Sequence, residues 1–140
     1  MTVSDEDADS LAALLAQLSS TATFDRSRFQ AIVSHPGTEL LVVRVDGRIV
    51  GTGTFVAVPL PSGLRGHVED VVVDSAMRGR GIARLLLARM TQLAQERALR
   101  TLDLTSRPSR ESALRLYESV GFERRNTNVL RYTPTSGSDR

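Results

Sequence analysis

Cysteine is absent from this 140-residue chain. Its absence excludes disulfides, thiolate nucleophiles and cysteine-ligated metals, so any thiol chemistry must arrive on a bound ligand. Histidine occurs only at His35 and His67, without His-Glu-x-x-His spacing, and no metal centre is expected. Lysine is missing altogether, so all 18 basic residues are arginine. Arginine grips phosphate through a rigid planar fork, although exclusive arginine usage can equally follow from genomic base composition. Aromatic residues make up 4% and acidic residues are interleaved with the basic ones to a net charge of +2, which speaks against a nucleic-acid surface. No apolar run is long enough to span a bilayer, and Met1 to Ser10 is acidic where a signal peptide is basic. The expected compartment is therefore the cytoplasm, with no membrane partner.

What is present suits one domain over residues 1–133, followed by a polar tail, Pro134 to Arg140, expected to be disordered. Hydrophobic residues at 41% and charged residues at 24% are ordinary for a folded core. Ser4 and the acidic Asp5-Glu6-Asp7 precede Leu11, Leu14, Leu15 and Leu18, which predicts a capped helix from Asp5 to Ser19. A second, short helix is expected from Asp25 to Val33, ended by His35-Pro36-Gly37. Glu39 to Val45 and Arg48 to Val58 read as an antiparallel pair joined at Asp46-Gly47, a strong hairpin signal. Pro59 to Gly66 reads as a loop, His67 to Asp74 as the next strand, Ile82 to Arg97 as a helix and Arg100 to Thr105 as a strand parallel to the previous one. Pro108 or Ser109 opens a helix carrying Ala113, Leu116, Tyr117 and Val120, stopped at Gly121; Phe122 to Arg125 and Asn128 to Thr133 read as a closing strand pair.

Between the strand ending at Asp74 and the helix opening at Ile82 lies Arg78-Gly79-Arg80-Gly81. A helix N-terminus presents free N–H groups and the positive end of its dipole, so such a turn is a cradle for phosphate or pyrophosphate. Gly81 costs about 0.8 to 1 kcal/mol relative to alanine in a helix, a loss that close approach of a ligand or tight packing against the strand would offset. The same residues also suit a plain solvated turn. The turn satisfies neither Gly-x-Gly-x-x-Gly nor a Walker-type loop.

Arg78, Gly81 and Ala83 after an apolar strand, followed downstream by Ala113-Leu114-Arg115-Leu116-Tyr117-Glu118-Ser119-Val120-Gly121-Phe122, resemble the two ordered signatures of the GCN5-related N-acetyltransferase superfamily. Gly66 to Asp74 is similar in particular to the glucosamine-phosphate acetyltransferases, although Asp103 to Tyr117 is a longer stretch here. The resemblance implies an α/β fold with a mixed, mostly antiparallel sheet, a splayed parallel strand pair and about four flanking helices. It also implies an enzyme of the acyl-coenzyme A dependent N-acyltransferase type, moving acetyl from acetyl-CoA to a primary amine on a small molecule or peptide, without a metal. An acyl-CoA-binding sensor that has lost transfer is the alternative, and a homodimer through the last strands follows by analogy.

On this reading the pyrophosphate lies on the backbone of Arg78, Gly79, Arg80, Gly81, Ile82, Ala83 and Arg84, with Arg78, Arg80 or Arg84 adding charge. The pantetheine arm pairs with Val71 and Val73, and an N–H of Val71 or Val72 polarises the thioester carbonyl. Tyr117 holds the family position of the acid that protonates the departing thiolate, and its pattern equally fits core packing. Glu69 is the first candidate for the base that deprotonates the amine, because strict alternation puts it on one face with His67 and Val71; Asp103 is the second. Either carboxylate could instead serve a strand-end ion pair. Arg110 stands where the family often has asparagine and is expected to reach an anion such as a cofactor phosphate, unless it is solvated.

Overall fold

The computed structural model describes residues 3–106 and 109–135. In chain order the elements are α1 (Asp5–Leu18), α2 (Arg26–Ser34), β1 (Thr38–Val45), β2 (Arg48–Leu60), β3 (Gly63–Val73), a 3-10 turn (Ser75–Met77), α3 (Ile82–Glu96), β4 (Thr101–Asp103) and α4 (Glu111–Ser119). The strands form one sheet in the order β1-β2-β3-β4, antiparallel except for the β3/β4 pair. Ser4 caps α1 by accepting from the Asp7 N–H at 3.1 Å, and Asp25 caps α2 by accepting from the Arg28 N–H at 3.1 Å. Each cap satisfies a donor that a helix start leaves without an internal partner.

The sheet is covered on both faces. Ala8, Leu11 and Leu14 of α1 pack with Val3, Ile49 and Val72, with Phe24, Phe29 and Leu40 beside them. On the opposite face Leu87, Met90 and Leu93 of α3 pack with Phe55 and Val68, and α4 adds Leu116 and Tyr117. Phe55, Leu87, Met90 and Val50 are almost entirely buried. Each such side chain contributes about 1.5–3 kcal/mol through the surface it removes from water.

The hairpin at Asp46-Gly47 forms as the sequence predicts, with φ of 52° and 80° at the two turn residues, the left-handed pair that suits strand twist. The expected loop from Pro59 to Gly66 is instead mostly strand. β2 runs on to Leu60, turns over Pro61 and Ser62, and returns at Gly63, with Pro59 paired to Leu64. Proline is tolerated there because β1 ends opposite Val56, so the side of β2 where an N–H would be needed has no neighbour.

The expected closing strands, Phe122 to Arg125 and Asn128 to Thr133, do not form, and Val129, Leu130 and Tyr132 are 68%, 91% and 85% exposed. Two physical causes are visible. β4 has only three residues to offer a ladder, and Arg124 is drawn back over α4 by Glu118 at 3.0 Å and Glu111 at 3.3 Å. The opening of α4 expected at Pro108 or Ser109 falls later, at Glu111 after Arg110; Pro108 itself, like residues 136–140 of the expected tail, lies outside the described residues.

Two predictions follow from packing and charge. A Cβ at Gly66 would collide with Leu99 Cδ2 and come within 2.9 Å of Leu102 Cδ1, so Gly66→Ala should cost about 1–3 kcal/mol, read as a lower urea midpoint at unchanged slope. Arg44 grips Asp7 through two bonds of 2.8 and 2.9 Å and thereby holds that carboxyl below its ordinary value. A carboxylate so depressed stabilises the fold above its unfolded pKa and loses that contribution as pH falls through the folded one. The stability difference between wild type and Arg44→Gln should therefore be constant near neutrality and shrink below about pH 4, as followed by urea unfolding at each pH.

Candidate active site

β3 and β4 pair only at Arg65–Thr101, Gly66–Leu102 and His67–Asp103, yet β3 continues to Val73. Beyond His67 the edge of β3 is therefore free and the two strands part. In the same stretch β3 carries a bulge: Thr52 pairs with Val72 and Thr54 with Glu69, so Asp70 and Val71 together stand opposite Gly53, with Asp70 at φ 53°. An extra residue reverses the inward and outward alternation. Val68 and Val71 consequently pack on the α3 side, whereas Val72 packs on the α1 side.

This overturns one step of the expectation for Glu69. It shares a face with His67 but not with Val71, because the bulge intervenes between them. Even so, Glu69 and Val71 reach the same cavity, about 150 Å³ in volume, whose wall also includes Asp70, Leu104, Thr105, Arg110 and Tyr117. Glu69, Asp70 and Arg110 make no ion pair among the described residues. Asp103 stands outside this cavity. It lines an adjoining groove of about 1120 Å³ together with His67, Glu69 and Tyr117, along the outer edge of β4.

Tyr117 projects from the apolar face of α4 with its ring edge-on to Phe122 at 6.4 Å, and it lines both spaces. Packing and access to the cavity are thus combined in one side chain. α4 is closed locally by the Tyr117 carbonyl, which accepts from the N–H groups of Val120 and Phe122.

The turn after β3 is braced from several directions. The Asp74 N–H donates to the Val50 carbonyl at 2.8 Å, its carboxylate accepts from the Ala76 N–H at 3.2 Å, and Gln17 of α1 accepts from the Ser75 N–H at 2.9 Å. Gly79 and Gly81 have φ of 79° and 76°, and a Cβ at either would meet nothing within 4 Å. Backbone conformation, rather than tight packing of helix on strand, is thus what requires glycine here. The first bond of α3 runs from the Leu85 N–H to the Gly81 carbonyl, and Gly81 offers no side-chain cap. The N–H groups of Ile82, Ala83 and Arg84 are left without an acceptor among the described residues. Arg78 and Arg80 are exposed and make no ion pair among them. Open glycines, free amides and unpaired guanidinium groups together fit a polyanion.

Arg84 is directed elsewhere: its Nη1 donates to Ser119 Oγ of α4 at 2.5 Å. Arg110 sits immediately before α4 as a cap without a capping bond, against the 150 Å³ cavity rather than the turn. Asp70, which sequence reasoning passed over, joins the cavity through the bulge. Its signal was the adjacent pair Glu69-Asp70, two polar residues that break the alternation of an otherwise apolar strand. Among the described residues no group of three or more histidine, aspartate or glutamate side chains could hold a metal, and no helix is long and apolar enough to cross a membrane.

Comparison with known proteins bears on this geometry. The family model described as acetyltransferase (GNAT) family matches residues 8–122. Glucosamine 6-phosphate N-acetyltransferase of Trypanosoma brucei brucei is 33% identical over 88 residues, covering 61% of this chain and 58% of that protein. Glucosamine 6-phosphate N-acetyltransferase 1 of Oryza sativa subsp. japonica is 30% identical over 113 residues, covering 76% and 67%. The L-amino acid N-acetyltransferase AaaT of Escherichia coli (strain K12) is 32% identical over 98 residues, covering 67% and 59%. The chain also matches an uncharacterised Mycobacterium leprae (strain TN) protein at 42% identity over 73 residues, of which it spans 19%. It therefore spans well under two thirds of several relatives.

In three dimensions, glucosamine-6-phosphate N-acetyltransferase from Arabidopsis thaliana superposes with a TM-score of 0.78 at 23% identity, covering 96% of this chain and 97% of that one. AAC(6')-Iy, solved with the bisubstrate analogue CoA-S-monomethyl-acetylneamine, superposes with a TM-score of 0.76 at 17% identity, covering 94% of each chain. A family match over most of the chain, on a sheet that parts beside an unsatisfied helix start, shows that this chain belongs to the acetyltransferase (GNAT) family.

Proposed function

We propose that the chain is an N-acetyltransferase that moves the acetyl group of acetyl-CoA directly to a primary amine. The observation that carries this reading is the convergence of Glu69, Val71 and Tyr117 on one cavity at the parting of β3 and β4, next to the anion cradle. The free N–H groups of Ile82, Ala83 and Arg84, with Arg78 and Arg80, would hold the pyrophosphate. The unpaired edge of β3 through Val71, Val72 and Val73 would hold the pantetheine arm as an added strand. The bulge supports an oxyanion role for this stretch, since it takes the backbone at Asp70 and Val71 out of regular pairing with β2.

Chemistry then follows from the two side chains. A primary amine is protonated near neutrality and must lose a proton before its lone pair can attack the thioester carbon. Glu69, exposed and without an ion pair among the described residues, would take that proton, with Asp103 in the adjoining groove as the second candidate. As the carbon–sulfur bond breaks, the Tyr117 hydroxyl would give its proton to the leaving thiolate, while the second proton of the nitrogen, shed as the amide forms, passes to solvent, from which Tyr117 is reprotonated. A phenol suits this task because its hydroxyl can donate a hydrogen bond to the sulfur. The acceptor lies within the amines; two of the relatives named above are glucosamine 6-phosphate N-acetyltransferases and one is an L-amino acid N-acetyltransferase. A homodimer would draw on the exposed apolar residues Val129, Leu130 and Tyr132, and the cytoplasm remains the expected compartment.

Thiol release over a panel of amines tests the reading, with amine-dependent release expected for at least one member. Tight acetyl-CoA binding with no release for any amine would instead make the chain an acyl-CoA-binding module. Tyr117→Phe should lower kcat by about 10²-fold with little change in acetyl-CoA affinity. The double variant Arg78→Gln with Arg80→Gln should weaken acetyl-CoA binding by about tenfold or more in calorimetry.

A further inference from the structure

The first turn of α3 is an unfavourable place for a cation. The N-terminus of a helix carries partial positive charge and favours acidic residues, yet α3 has none in its first turn and has Arg84 as its third residue. Its guanidinium leaves that terminus and crosses to the other end of a different helix. Nη1 donates to Ser119 Oγ at 2.5 Å, and the Ser119 hydroxyl donates to the Leu116 carbonyl at 2.6 Å. Ser119 is the last residue of α4, where a cation is favoured by the negative end of the dipole. A continuous relay thus joins the helix turn that carries the free amides to the helix turn that carries Tyr117. Leu116 immediately precedes Tyr117, and Ser119 lies two residues beyond it.

Resting on the N-acetyltransferase reading above, we infer that Arg84 is a positioning residue: through Ser119 it locks α4 against the start of α3 and so sets Tyr117 relative to the cofactor cradle. Little else does this work from α4's own end. That helix is three turns long at most, has no side-chain cap at Arg110, and contains no fully buried residue. Its outer ion pairs, Glu111 and Glu118 with Arg124, tie it to the following segment rather than to the sheet. Leu116, Tyr117, Val120 and Phe122 pack it onto the α3 face, but apolar packing is non-directional, whereas the solvent-exposed relay adds a directional bond at the last turn of the helix.

The test is a double-mutant cycle with Arg84→Gln and Ser119→Ala, read in steady-state kinetics, in calorimetric acetyl-CoA binding and in amide hydrogen exchange over residues 114–119. Each single variant should lower kcat by about fivefold with acetyl-CoA affinity changed less than twofold, and the double variant should be no worse than either single one. Arg84→Lys and Ser119→Thr, which keep a donor and a hydroxyl, should restore most of kcat. Exchange in α4 should rise equally in both single variants while β2 and β3 stay protected. If Arg84→Gln weakens acetyl-CoA binding while Ser119→Ala leaves kcat and exchange untouched, Arg84 is an anion ligand only and the inference is overturned. Additive effects would overturn it as well. Should the wild type release no thiol with any amine of the panel, it is the N-acetyltransferase reading that fails, and the exchange measurement still decides whether the relay holds α4.

Discussion

Eleven residues of β3 stand beside three of β4, and the site exists because the longer strand outruns the shorter one. From Val68 onward, β3 is hydrogen-bonded on one side only, to β2, and its other edge looks into the gap that Leu104, Thr105 and Tyr117 line from across. A strand edge left free in this way is normally a liability, because it offers a ladder to any extended partner. Placed inside a cleft between a sheet and two helices, the same edge is, on the function proposed above, where an extended ligand would add as a strand.

The bulge at Asp70 and Val71 extends that constraint into the core. It lets Val68 and Val71, three residues apart, both join the packing under α3, while Val72 joins the packing under α1. Glu69, next after Val68, falls on the α1 side, the bulge returns Val71 to the α3 side, and both residues line the cavity. Gly53, opposite the bulge, completes the arrangement: a Cβ there would come within 2.8 Å of Met90 Cε and 3.2 Å of Val71 Cγ2. The close approach of α3 to the sheet is thus seated at Gly53, opposite the irregular register, while the opening lies on the other edge of β3, where β4 has ended.

Much of this was legible beforehand. The apolar spacing of α1 and α3, the Ser4 and Asp25 caps, and Asp46-Gly47 are local signals, each set by residues within one or two turns of one another. The Arg78 to Ala83 turn and the Ala113 to Phe122 stretch pointed to the family. Elsewhere local signals misled. Two prolines made Pro59 to Gly66 look like a loop, although the missing N–H faces no neighbour once β1 has ended. Alternation placed Glu69 with Val71, although an extra residue lies between their faces. The β-rich segment after Phe122 suggested a strand pair, but three residues of β4 and the pull of Glu111 and Glu118 on Arg124 leave it without a ladder.

Composition and spacing alone therefore determined that the chain lacks thiol chemistry of its own, that an apolar strand runs through an arginine- and glycine-rich turn into a helix start, and that Tyr117 falls on the inner face of its helix. Tertiary structure decided which carboxylates meet Tyr117 in one cavity, where β3 bulges, and that Arg84 turns from the cradle to Ser119, 35 residues further on. The division has a physical cause. Helical periodicity and capping depend on neighbours a few positions away, whereas strand register, a bulge and the partner of a long side chain depend on what another part of the chain places opposite.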